Sequence, residues 1–324
     1  MNEFKFIDSI KQKNYKQPTI IKGIGDDAAV FRQSYLDTVT AVDTFVENIH
    51  FSRQTMTPYH VGYRLLAANI SDMAAMGASP AYYMISIVAP AHWSEEELQE
   101  IYSGMHDIAT LYKMDLIGGD TVSGKELVIS VTIVGFVEQY KARYRSAMQK
   151  NDVLFVTGTL GDSSAGLYLL LNPQKETVSD AKYLINRHRM PMPRVTFARE
   201  LQSLNRVALN DVSDGISSEA NELAEAANLT VYIDYDQLPM HQALQQFSPE
   251  QREKFMLTGG EDFELVGAVA LEDWEKVKEA AKLTHTEVKK IGYVTSNENT
   301  NGSVFLKKDK QIIQLKKAGY THRS

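Results

Sequence analysis

The sequence predicts a two-domain α+β protein, on its length, its interleaved strand and helix patterns, and a polar break between the halves. At 324 residues the chain exceeds what one hydrophobic core usually supports. Runs rich in Val, Ile, Tyr and Thr alternate with apolar residues at helical spacing. EQYKARYRSAMQKND, residues 138–152, is polar and basic between apolar runs, which sets domains at 1–140 and 141–324.

In the first half, strands are expected around 28–32, 38–43, 82–89 and 127–137. Pro58 to Ala75 places Val61, Leu65, Leu66, Ile70 and Met73 on one face of a helix. Ser94 to Tyr112 opens on Ser-Glu-Glu-Glu, a capping-box start for a second helix. The second half reads as strand 152–157, helix 163–171, and helices around 180–203 broken by Pro191 and Pro193. Strand 206–211, helix 217–228, strands 230–234 and 263–270, helix 272–282 and short terminal strands complete it. No repeat at solenoid periods is present.

Apolar residues make up 44% and charged residues 23%, ordinary globular values. A net charge of -7 and a pI near 5.7 argue against a nucleic-acid partner, which needs a basic face. The chain has no cysteine, so thiolate nucleophiles, disulfides and thiolate metal sites are excluded, leaving oxygen or histidine ligands. The opening MNEFKFIDSIKQKN mixes apolar with charged residues and predicts no secretory signal. No apolar stretch is long enough for a membrane span. The expectation is a soluble cytoplasmic protein without a membrane partner.

The chemistry lies in aspartates set among small residues. They are Asp26 and Asp27 in GIGDDAAV, Asp43 in AVDTF, Asp72 in NISDMAAMGASP, Asp120 in IGGDT, and Asp211 and Asp214 in NDVSDGISSE. Each alone reads as a turn or cap residue. Gathered in one place they would repel, since two unit charges ~4 Å apart cost about 4 kcal/mol at an effective dielectric of 20. Divalent cations would relieve that repulsion. GIGDDAAV lacks the Gly-Lys-Ser/Thr ending of a Walker A loop. Asp43 reads as the residue where a strand leaves its sheet, a favoured ligand position. Asp120 follows glycines that admit close approach to the backbone. NDVSDGISSE places Asp211, Ser213 and Asp214 at a strand exit before an Ala-rich helix capped by Ser217 or Ser218, where free N–H groups suit an anion. LTGGEDFELV reads as a turn into a strand with Glu261 and Asp262 at its mouth.

Taken in order, GIGDDAAV, the Asp43 strand with NIHF, NISDMAAMGASP, IGGDT, TGTLGDSSAGL, RMPMPR, VSDGISSE and TGGEDFEL make the chain resemble the thiamine-monophosphate kinases from about residue 20 onward. That family belongs to a superfamily with aminoimidazole ribonucleotide synthetase and selenophosphate synthetase. The resemblance implies an ATP-using homodimer whose N-terminal sheets pair into a barrel, with nucleotide bound mainly by the N-terminal domain. The C-terminal α+β domain would complete the site. The implied reaction is direct in-line transfer of the γ-phosphoryl of ATP to thiamine phosphate, without a phosphoenzyme. Because the attacking phosphate oxygen is already ionised at neutral pH, no catalytic acid or base is required. By the family pattern, Asp27, Asp43, Asp72, Asp120, Asp211 and Asp214 are Mg2+ ligands, with Asp26 shaping the turn beside them. Arg145, Asp120, Ser213 and Gly119 would contact ATP, and His50, Glu261 and Tyr320 would hold the acceptor. His50 also reads as an ordinary strand-end histidine, Tyr320 as an aromatic pinning a terminus, and the basic run 307–317 as a solvated strand face.

Ala41 and Val42 depart from the family, which often carries Ser or Thr just before the Asp43 position, so any metal contact there must use backbone carbonyls. Other readings are an aminoimidazole ribonucleotide synthetase-like ligase, against which GGEDFEL and RMPMPR weigh, and a non-catalytic Mg-nucleotide sensor. The missing cysteine argues against selenophosphate synthetases and hydrogenase-maturation relatives.

Overall fold

A computed structural model describes residues 14–22, 30–31, 35–175 and 178–318. The chain divides into two compact units, residues 1–73 with 78–140, and residues 74–77 with 141–324.

The first unit carries a small pair of strands, β1 (Ile20–Lys22) and β2 (Val30–Phe31). Its main elements are β3 (Leu36–Val46), α1 (Pro58–Ala75), β4 (Ser79–Pro90), α2 (Glu95–Leu111), β5 (Asp115–Gly124) and β6 (Val128–Glu138). The four-stranded sheet runs β3-β6-β4-β5, with α2 crossing between the parallel pair β4 and β5 and all other pairs antiparallel. Strand alternation buries Ile129, Val131, Ile133 and Ile85 on one face and leaves Val42, Met84 and Val122 exposed on the other. The apolar stripe expected on α1 is wholly buried, from Val61 through Leu65, Leu66 and Ile70 to Met73. Where α1 crosses α2 the backbones nearly touch, and a Cβ on Gly104 would lie 2.8 Å from the Tyr63 nitrogen. The Ser94 hydroxyl accepts the Glu97 N–H at 3.2 Å, and the Glu97 carboxylate accepts the Ser94 N–H at 2.9 Å, closing the expected capping box.

Two sequence expectations change here. IGGDT is not a turn: Gly118, Gly119 and Asp120 lie inside β5. Gly119 pairs with Ile85 across the parallel register, and any side chain there would meet the Ile85 carbonyl, so close strand packing rather than a bend explains the glycine. Asp43 is also not at a strand exit, because β3 continues through Val46 and Asp43 pairs with Val131 inside it.

The second unit is built on the sheet β13-β12-β9-β11-β7-β10-β8. Its strands are β7 (Val153–Thr157), β8 (Ala208–Asp211), β9 (Thr230–Asp234), β10 (Leu265–Val269), β11 (Val288–Thr295), β12 (Val304–Lys308) and β13 (Gln311–Leu315). Its helices are α3 (Asp162–Leu171), α4 (Ala181–Arg189), α5 (Val195–Glu200), α6 (Ile216–Ala227), α7 (Pro249–Thr258) and α8 (Trp274–Leu283). The core joins Leu154 and Val156 of β7 to Leu169, Leu223, Ile233 and Val266. The α4 and α5 helices stop and restart around Pro191 and Pro193 as expected. Helix α7 was not anticipated, although Ser248-Pro249-Glu250-Gln251 carries its capping box. Among the described residues no helix is long and apolar enough to cross a membrane.

Candidate functional site

In the N-terminal unit the candidate residues sit on separate faces of the sheet. Asp43 lies in the register row of Val131, Ile85 and Gly119, on the covered face, and burial raises its carboxyl above the usual aspartate value. Asp120 is one residue on, in the row of Ser86 and Ser130, and is exposed on the open face. Asp72 is half-buried on α1 beside Met73. His50 follows β3 in a turn, where its Nδ1 accepts the Val46 N–H at 3.0 Å and its ring stacks on Phe45. That bond puts the proton of neutral His50 on Nε2. Asp26, Asp27 and Tyr320 lie outside the described residues.

The C-terminal unit draws its candidates together. Asp211 ends β8, buried, and the Ser213–Gly215 turn leads straight into α6. Helix α6 is not capped by Ser217 or Ser218 as expected. Its N-cap is Gly215 with φ 100°, a backbone that side chains rarely adopt, and the serines lie inside the helix, Ser217 bonding the Ala318 carbonyl at 2.8 Å. Glu219, one turn into α6, holds the turn instead. It accepts the Asp214 N–H at 3.0 Å, the Ser213 hydroxyl at 3.3 Å and the Asn210 amide at 2.5 Å.

Asn210 also accepts from Arg145 Nε at 3.0 Å, and Arg145 Nη1 pairs with Glu222 at 3.1 Å. The same turn receives the acceptor candidate: the Glu261 N–H donates to the Ser213 carbonyl at 2.6 Å and the Phe263 N–H to the Val212 carbonyl at 3.0 Å. Glu261 and Phe263 both have left-handed backbones, at φ 59° and 50°, strain of the kind that collects at functional sites. Thus Arg145, Asp211, Ser213, Asp214 and Glu261 share one neighbourhood, with Asn210, Glu219 and Glu222 as members the sequence reading missed. An acid in the first turn of a helix reads as a favourable dipole interaction, which hid Glu219.

Burial, and then the nearby charge of Asp211, pushes Glu219 up to about 8. Among the described residues no group of three or more Asp, Glu or His side chains is arranged to hold a metal ion. The donor chemistry nevertheless suits Mg2+: these are oxygen ligands carrying more negative charge than Arg145 offsets.

GGEDFEL and RMPMPR have a structural task. Glu264, fully buried, accepts Arg194 Nε at 2.6 Å and Nη2 at 2.5 Å, Arg187 at 2.9 Å and Thr157 at 2.7 Å. Burial alone would raise Glu264, but the charge of Arg194, its hydrogen bonds and Arg187 hold it below the usual glutamate value. Asp262 accepts the N–H groups of Gly161 at 2.7 Å and Ser163 at 3.1 Å, anchoring the start of α3. Burial, and then the neighbouring Asp162, pushes Asp262 up to about 7. The network pins the strained segment that carries Glu261 to β7, α3 and α4.

Family models match both halves of the chain: AIR synthase related protein, N-terminal domain, over residues 25–137, and its C-terminal domain over 149–304. The chain is 45% identical to thiamine-monophosphate kinase of Bacillus subtilis over 327 residues, covering 99% of each. The thiamine-monophosphate kinase of Stenotrophomonas maltophilia superposes with TM-score 0.85 at 31% identity, over 97% of this chain and 98% of that one. AaThiL complexed with AMPPCP and TMP superposes with TM-score 0.78 at 29% identity, over 99% and 96%. On this full-length likeness, the chain belongs to the thiamine-monophosphate kinase family, within the AIR synthase related proteins.

Proposed function

We propose that the chain transfers the γ-phosphoryl group of ATP to thiamine phosphate, giving thiamine diphosphate and ADP. Relatives that are 34–45% identical over 99% of the chain are thiamine-monophosphate kinases, and AaThiL is complexed with AMPPCP and TMP. Within this chain the supporting observation is the bond from the Glu261 N–H to the Ser213 carbonyl, which ties an acceptor candidate to the nucleotide candidates in one rigid turn.

In this reading Arg145, Ser213, Gly119 and Asp120 contact ATP, while His50, Glu261 and Tyr320 hold thiamine phosphate. Asp27, Asp43, Asp72, Asp120, Asp211 and Asp214 hold Mg2+, which when bound offsets the charge of the phosphates and of the carboxylates themselves. The protein's share of catalysis is alignment: a strained, pinned Glu261 segment and an anchored Arg145 fix donor and acceptor with little freedom to lose. No side chain is assigned as acid or base, since the acceptor phosphate carries its own negative oxygen. Residues 1–140 form the nucleotide, Mg2+ and dimerisation domain, and 141–324 complete the site.

A homodimer fits the N-terminal sheet. Among the described residues β3 is an edge strand of 11 residues, and the open face carries Val42, Met84 and Val122, so a second copy would cover both that edge and an apolar patch. Use of ATP supports a cytoplasmic setting. The test offers purified protein ATP and Mg2+ with either thiamine or thiamine phosphate. Diphosphate formation from thiamine phosphate alone is the expected result; consumption of ATP with neither acceptor altered overturns the assignment.

A further inference from the structure

We infer that Asn210 and Glu219 are positioning residues that hold Arg145 and the Ser213–Asp214 turn in register for the nucleotide. The inference rests on the reading of Arg145 as an ATP contact given above. Asn210 is the adaptor. Its carbonyl oxygen accepts from Arg145 Nε at 3.0 Å, while its amide nitrogen donates to Glu219 at 2.5 Å and to Glu222 at 3.2 Å. Only an amide satisfies a guanidinium on one side and carboxylates on the other. An aspartate of the same shape would lose both donors to Glu219 and Glu222 and would set a negative charge against Glu222.

Glu219 then carries the connection to the turn through the Asp214 N–H and the Ser213 hydroxyl. Arg145 is half-exposed, and a long side chain at that exposure ordinarily samples many rotamers. Asn210 and Glu222 hold its Nε and Nη1, leaving the remaining guanidinium donors for an anion. One continuous hydrogen-bonded path thus joins the arginine on the turn before β7 to the loop before α6, and both ends are nucleotide candidates.

The alternative is that Asn210 and Glu219 only cap α6, and a double-mutant cycle separates the two. Asn210→Asp, Arg145→Ala and the double variant are compared with wild type for binding of a fluorescent ATP analogue with Mg2+, for KM of each substrate, and for thermal unfolding. Asn210→Asp is expected to weaken nucleotide binding about tenfold, the loss of one charge-assisted contact. KM for thiamine phosphate should stay within about twofold, and in the Arg145→Ala background the same change should cost little more. Glu219→Gln, which keeps an acceptor for the turn, should weaken nucleotide binding less than Glu219→Ala. Nucleotide binding within twofold of wild type in Asn210→Asp, or a full undiminished loss in the Arg145→Ala background, overturns the inference. Because nucleotide binding is read directly, absence of thiamine phosphate turnover in wild type would refute the kinase reading while leaving this result readable.

Discussion

Replacing Glu264 by glutamine should destabilise the C-terminal unit strongly without removing any proposed ligand. Glu264 has no solvent exposure and is the common acceptor for Arg194, Arg187 and Thr157. The Arg187 and Arg194 side chains are 12% and 22% exposed, so neither reaches bulk water freely. Removing one partner of a buried ion pair costs ~3–5 kcal/mol, because the remaining charge is left uncompensated. Glutamine keeps one carbonyl acceptor, and Arg187 keeps Asp162 within 3.7 Å, which places the cost near the lower end, about 3 kcal/mol. At roughly 2–4 °C per kcal/mol for a unit of this size, the melting temperature should drop by about 6–12 °C.

The pH dependence has a definite sign. Glu264 is held below its usual value, so its contribution is complete above that value and fades as pH falls through the folded one. Urea unfolding of both proteins at neutral and acidic pH reads this directly. The gap between wild type and variant should be full at pH 7 and should narrow in acid. A gap below ~1 kcal/mol at neutral pH, the range of an exposed pair, would refute the buried-network reasoning.

Asp262 should show the opposite dependence. Its carboxyl is pushed up to about 7, so its contribution is complete below the ordinary aspartate value and is lost as pH rises through 7. Relative to Asp262→Asn, wild type should therefore lose stability between pH 5 and pH 8 in denaturant titrations; a constant difference would show that Asp262 does not titrate there. Gly104→Ala would force a Cβ to 2.8 Å from the Tyr63 nitrogen, and overpacking the α1–α2 crossing should cost ~1–3 kcal/mol by the same titration, whereas a neutral result would mean the helices part freely. Asp43→Asn and Asp211→Asn should each abolish turnover while circular dichroism and melting stay near wild type; near-normal turnover removes that aspartate from the proposed Mg2+ set.

Amphipathic periodicity and capping chemistry made most elements legible. α1 and the Ser94 box of α2 lie where the apolar spacing and Ser-Glu-Glu-Glu place them, because those signals are local. The glycines of IGGDT read as room for a ligand beside Asp120, while their place inside β5 against Ile85 had no sequence signal, since a glycine that admits a neighbouring strand looks the same as one that admits a ligand. Asp43 reads as a strand exit because it closes the apolar run TVTAV, yet β3 runs on through it to Val46, since an acid inside a strand looks in sequence like one at its end. The aspartate constellation was visible only through motif order, and its supporting residues were not. Asn210 and Glu219 act through contacts across a β8–α6 turn, and Glu264 through arginines far along the chain, so nothing in their local spacing announces a partner.

The central claim is tested most directly by following the phosphorus nuclei of one reaction mixture by 31P NMR, with protein, Mg2+, ATP and thiamine phosphate present together. Direct transfer predicts equal growth of ADP and thiamine diphosphate with no inorganic phosphate. Conversion of ATP to ADP and inorganic phosphate, with the thiamine phosphate resonance unchanged, would contradict it.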